Sequence, residues 1–340
     1  MLFAEQSLGI VHSGRSRQGE TGLVSLLRAY RYHVHRPSSP QDVGEFVERF
    51  SAAWRKHAQD SAPQPAAVLE MMQKRDRVLE QAWTQYLPGD YPPVMIASVL
   101  ECANPFIVRA SGMSPLIVMS EGLSAFVFGT VLTAMLYAHE EHDSQECLTA
   151  MRQFMLSWLE NDPALAPPGT LIQDLSTLDQ ETTTFAVGLS NSVLTWAFYH
   201  ELGHFRLGHL GRRIQLLHAT PGEEVVAEMR SYPHQHELEA DTFGMDRYLE
   251  LLVHEAELRR EFEIGKQADH APIMGFELMN LAYRLHPQYD RRSSQSHPAP
   301  LDRAAGLRRH AAARLSVEGR EFYAYWSDLL AHVEAGLTSD

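Results

Sequence analysis

Residues 182–204 read TTTFAVGLSNSVLTWAFYHELGH. Thr182 to Tyr199 carries no charge, and Val187, Leu189, Val193, Leu194, Trp196, Ala197 and Phe198 fall all round a helix of period 3.6. That pattern belongs to a helix buried on every side. It leads straight into His200-Glu201-Leu202-Gly203-His204. Positions four apart share a helical face, so His200 and His204 can point at one ion with Glu201 beside them. Two histidines and a glutamate on a buried helix are costly without a partner.

A metal ion is the partner this spacing suits. HExxH is the arrangement of zinc hydrolases, in which the glutamate takes a proton from water as general base. A catalytic zinc also needs a third protein ligand and an open position. His209 suggests the metzincin extension, but Leu207 and Leu210 occupy the offsets where that motif needs glycine and histidine. Glu237 and Asp241, in His236-Glu237-Leu238-Glu239-Ala240-Asp241, are four apart on one helical face. One can ligate while the other orients a ligand histidine. Small Ala240 permits close approach to the HExxH helix. His209, His236 and Glu239 remain alternative third ligands, although Glu239 points away from Glu237 and Asp241.

HExxH followed by Glu-x-x-Ala-Asp resembles the gluzincin peptidases of the CAAX-prenyl-protease and HtpX heat-shock-protease group. Ile117-Val118-Met119-Ser120-Glu121-Gly122-Leu123 is similar to that family's strand-helix segment, and His297-Pro298 with Arg303 to its C-terminal motif. The resemblance implies His200, His204 and Glu237 as ligands of one zinc per chain, Glu201 as general base and Asp241 behind a ligand. It further implies His297 as the group stabilising the tetrahedral intermediate, with Tyr232, His234 and His236 as alternative donors. Ile117 and Val118 would lie on the edge strand that aligns an extended peptide, and Arg303 would act in substrate binding. A looser similarity to phage-exclusion HExxH peptidases adds a bacterial-defence or toxin role. The chain departs from the main family in the long insertion from His139 to Glu181 and in lacking its membrane spans.

The expected fold is α+β and mostly helical, a zincin-like core with a small sheet. Residues 96–340 form the metallopeptidase domain and 1–95 an N-terminal helical region, a lid or a docking layer for a protein partner. Asn104–Val108 and Pro115–Met119 read as strands. Helices are expected from Glu121, through Cys147 to Trp158, from His234 to Leu258, from Met274 to Leu285 and from Pro300 onward. Loop or short helices are expected between the HELGH helix and Pro233.

Composition narrows the function classes. The chain has 340 residues, 44% hydrophobic and 21% charged, enough to bury a large core without staples. A net charge of −14 repels phosphate backbones, and the basic run Arg291, Arg292, Arg303, Arg308 and Arg309 is short, so no nucleic-acid partner is expected. Gly122–Ala138 is uncharged but shorter than the roughly 20 residues of a membrane span, and reads as a core helix. Met1–Arg15 lacks a secretory pattern, and Cys102 and Cys147 sit in no thiol motif, so the expected location is cytoplasmic. His139-Glu140-Glu141-His142-Asp143 reads as a polar helix end. No Ser or Cys nucleophile motif and no P-loop is present. The expected function is a zinc-dependent endopeptidase acting on a protein or peptide; the alternative is a zinc-stabilised regulatory or binding protein without turnover.

Overall fold

The computed structural model describes residues 95–99, 104–110, 115–139, 144–160, 180–216, 225–230, 233–254, 266–286 and 298–338, with short stretches between 162 and 171. The expected N-terminal helical region lies outside the described residues, apart from Met95.

Among the described residues five strands form one mixed sheet: β1 (Met95–Val99), β2 (Phe106–Ala110), β3 (Leu116–Ser120), β4 (Leu210–Leu216) and β5 (Val225–Arg230). Their order is β1-β3-β2-β5-β4. β1 runs parallel to β3, and the other neighbours are antiparallel. The helices are α1 (Glu121–Ala138), α2 (Ser144–Glu160), α3 (Gln180–Arg206), α4 (His234–His254), α5 (Ala271–Leu285), α6 (Pro300–Ala311) and α7 (Val317–Thr338). A short 3₁₀ turn, Lys266–His270, precedes α5. The α+β, mostly helical expectation holds, as do the strands at 106 and 116 and the helices from Glu121, Cys147 and Pro300.

The expectation for the segment before Pro233 does not hold. β4 and β5 form a hairpin there, and β5 pairs with β2 through Val108↔Met229 and Ala110↔Ala227. A register shift between Leu210 and Arg212 leaves Gly211 as the extra residue of a bulge. Neither strand alternates cleanly between apolar and polar residues, so the period-2 signal is weak. Partners distant in sequence complete the pairing.

α3 is the hub. Every residue from Gly188 to His204 is buried, because α1, α4, α5, β2 and β3 all pack on it. α1 is uncharged for the same reason, lying against α2, α3 and α7. Ser120 starts it, its Oγ accepting from the Leu123 amide at 2.8 Å and satisfying one of the first-turn donors that a helix leaves unbonded. Among the described residues no helix is long and apolar enough to cross a membrane. Cys147 is fully buried, as a small hydrophobe; Cys102 lies outside the described residues.

The hairpin links α3 to α4. α3 ends in a cap where His209 N–H donates to His204 C=O at 2.9 Å and Gly208 N–H to Phe205 C=O at 3.2 Å. This is the Schellman pattern, and it needs a left-handed residue, supplied by Gly208 at φ +75°. Gly208 and His209, each one residue off the metzincin offsets at 207 and 210, therefore serve as a helix stop. From there the chain traverses β4 and β5 and re-enters at α4, which lies along α3.

Candidate metal centre

α3 and α4 meet almost backbone to backbone. A Cβ added to Gly203 would stand 3.3 Å from the Ala240 Cα, and one added to Gly244 only 2.9 Å from the His200 amide nitrogen. Small residues at 203, 240 and 244 thus let the two helices approach closely, as Ala240 suggested from sequence. The approach brings His200 and His204 of α3 against Glu237 of α4.

The three side chains are buried, His200 at 5% exposure and His204 and Glu237 at 0%. His200 Nε2 and His204 Nε2 are 3.1 Å apart. Glu237 places Oε2 3.6 Å from the first and Oε1 3.4 Å from the second. Zinc bonds of about 2.0–2.2 Å in a tetrahedron separate ligands by roughly 3.3–3.6 Å. The triangle is close to that size, so the donor set fits such an ion. Among the described residues this is the one group of three or more His, Cys, Asp or Glu placed to hold a metal.

Electrostatics point the same way. Glu201, Glu237 and Asp241 are all buried at 2% exposure or less, and the guanidinium close to them is that of Arg303, 12% exposed. Among the described residues three carboxylates crowd this low-dielectric pocket, and a divalent ion is a partner that offsets the cost of burying them. Glu201 Oε1 lies 4.0 Å from His200 Nε2, beside the same centre.

His200 is held from behind. Its Nδ1 lies 2.9 Å from Asp241 Oδ1. Arg303 Nε and Nη2 grip Asp241 Oδ2 and Oδ1 at 2.8 and 2.5 Å, the two-pronged geometry that suits guanidinium and carboxylate. The same guanidinium lies 4.4 Å over the Phe276 ring and 3.7 Å from Glu237 Oε2. Burial by itself lowers the pKa of His200, but Asp241 and Glu237 outweigh it and push the value up to about 9. Burial likewise opposes ionisation of Asp241, and Arg303 overrides it, holding that carboxyl below its usual range.

His204 is backed differently. Its Nδ1 is 3.2 Å from His209 Nδ1, and His209 Nε2 is 3.1 Å from Glu239 Oε2. His209 is 3% exposed and stacks on His236, with centroids 4.0 Å apart and planes 2° apart. Burial and the neighbouring His236 lower its pKa.

His200, Glu201, His204, Glu237 and Asp241 thus come together as expected. Glu239, 44% exposed, faces outward to His209 and Gln235. Arg303, expected against substrate, lies behind Asp241 instead. Ile117 and Val118 were expected on an edge strand, and the structure corrects this: β3 is interior, paired with β1 on one side and β2 on the other, and both residues are fully buried. His297 and Tyr232 lie outside the described residues, while His234 is exposed at the start of α4. His209, weighed from sequence as an alternative third ligand, lies against His204 Nδ1 instead; the glycine before it marks only the helix end that carries it there.

No curated protein and no solved structure matches the chain significantly. The Peptidase U49 family matches residues 138–324, a span that carries α3, α4, α6 and every residue of the cluster. It covers more than half of the 340 residues, and the chain belongs to that peptidase family.

Proposed function

We propose that the chain is a zinc-dependent endopeptidase of the gluzincin type on a zincin-like core, with His200, His204 and Glu237 as ligands and Glu201 as general base. The observation that carries this is the triangle of His200 Nε2, His204 Nε2 and the Glu237 carboxylate, with the buried Glu201 at its side. Membership in a peptidase family supplies the substrate class, a protein or peptide.

A bound zinc ion supplies Lewis acidity, which brings the pKa of water from about 15.7 toward ~7. The chain's own groups do the rest. Glu201 accepts the proton of the attacking water and returns it to the leaving amine. Its burial excludes bulk water that would otherwise compete for that proton. Asp241 holds the His200 ring through Nδ1 so that Nε2 faces the centre, and Arg303 holds Asp241. In this proposal His297 donates to the carbonyl oxygen as negative charge develops on it, a contribution typically worth about 2.7–4 kcal/mol.

The test compares wild type with Glu201→Gln for zinc content and for cleavage of an unfolded protein. One zinc in each chain, with hydrolysis by wild type alone, supports the proposal. Equal cleavage by both refutes it. Bound zinc without cleavage by either also refutes it, in favour of a zinc-stabilised binding protein.

A further inference from the structure

We infer that His209 and Glu239 are positioning residues for His204, forming a relay Glu239–His209–His204 that fixes the ring and tautomer of this ligand. The inference rests on the zinc proposal above and names residues that the HExxH–ExxAD pattern leaves out.

The argument is one of donors and acceptors. His204 Nε2 faces His200 and Glu237, so coordination there leaves its proton on Nδ1. That N–H points at His209 Nδ1 at 3.2 Å, which makes His209 Nδ1 the acceptor. The proton of His209 then sits on Nε2, 3.1 Å from Glu239 Oε2. Glu239 Oε1 in turn accepts from Gln235 Nε2 at 2.8 Å. Every donor meets an acceptor in one direction along the chain. The reverse assignment puts a proton on His204 Nε2, where the ion binds, and sets a bare His209 nitrogen against a carboxylate.

The relay is also rigid. Gly208 turns the chain so that the His209 amide closes the α3 cap, which fixes the backbone of His209 relative to His204. The His236 ring, parallel at 4.0 Å, fixes the plane of the His209 imidazole. The two ligand histidines are therefore supported unequally: His200 by a carboxylate gripped by arginine, and His204 by a second imidazole that passes the contact to Glu239.

The experiment measures zinc affinity of the full chain by competition with a chromophoric chelator, together with the unfolding midpoint of the metal-free protein. His209→Phe keeps an aromatic ring against His236 but cannot accept from His204; loss of such a backing group is expected to weaken zinc binding about 10–100-fold. His209→Asn places an amide oxygen at the position of Nδ1 and is expected to recover most of that loss, while the metal-free midpoints of both variants stay close to wild type. Exposed Glu239→Ala, one step further from the ion, is expected to give a measurable but smaller fall than His209→Phe. Wild-type affinity in His209→Phe, or equal losses in the Phe and Asn variants, overturns the relay. If His209→Phe fails to fold, unchanged affinity in Glu239→Ala overturns it instead. Absence of zinc from wild type overturns the zinc proposal and the relay together, whereas tight wild-type binding with indifferent variants overturns the relay alone.

Discussion

Gly244→Ala places one methyl group where α4 touches the backbone of a ligand. The new Cβ would lie 2.9 Å from His200 N, 3.1 Å from His200 Cα and 3.1 Å from Trp196 Nε1. Two of these are backbone atoms, which cannot swing aside. Ordinary contact needs about 3.5 Å, so α3 and α4 must part by at least about 0.5 Å at this level. His200 rides on α3 and Glu237 on α4, so the separation acts directly on the ligand triangle. Metal–ligand distances tolerate only about 0.2 Å, and zinc affinity is expected to fall on the order of tenfold or more. Overpacking costs about 1–3 kcal/mol, while alanine gains about 1 kcal/mol over glycine within a helix. The net loss of stability is therefore about 0–2 kcal/mol, small beside the effect on zinc. Gly306→Ala is the control, since a Cβ there meets nothing within 4 Å, and it is expected to stabilise by about 0.5–1 kcal/mol. Chelator competition reads the first quantity and urea denaturation the second. Wild-type zinc affinity in Gly244→Ala, with the control behaving as expected, would refute the claim that helix proximity sets the site.

Glu237→Ala removes the ligand contributed by α4, and elemental analysis is expected to find much less than the wild-type zinc; full occupancy would move the third ligand elsewhere. Asp241→Asn keeps the shape but replaces the carboxylate that Arg303 grips with a neutral amide, leaving Glu237 at 3.7 Å as a carboxylate neighbour, and the weakened charged hydrogen bonds are expected to cost about 1–3 kcal/mol. Zinc affinity in that variant is expected to fall about 10–100-fold, so denaturation and metal titration check the two effects separately. Burial, and next the hydrogen bond its hydroxyl donates to Glu277, push Tyr323 up to about 12 from an ordinary 10.0. The folded state thus keeps a proton that the unfolded chain releases first. Its contribution to stability is whole below pH 10 and is lost as the pH rises from 10 through about 12. Tyr323→Phe is expected to flatten the alkaline part of the stability profile, and an unchanged slope between pH 9 and 12 speaks against the assignment.

Some of this was legible in residues 182–204 and 236–241 because helical geometry is local. A rise of 3.6 residues per turn puts His200 over His204, and Glu237 over Asp241, whatever else the chain does. An apolar surround on every side of α3 announced burial, and buried charge demanded partners. The mostly helical class and the strands at Phe106 and Leu116 followed from the same short-range periodicities.

Pairing and proximity are non-local, and there the sequence fell short. Ile117 and Val118 read as a strand, but their interior position depends on β1 lying alongside, a segment some twenty residues away. The β4–β5 hairpin was invisible because its support comes from β2, about 120 residues earlier. Arg303 became a clamp on Asp241, and His209 a support for His204, only through contacts across helices and the turn at Gly208. One helix's period is written in its own residues; which neighbour a side chain meets depends on how separate elements pack, and no stretch of sequence records that alone.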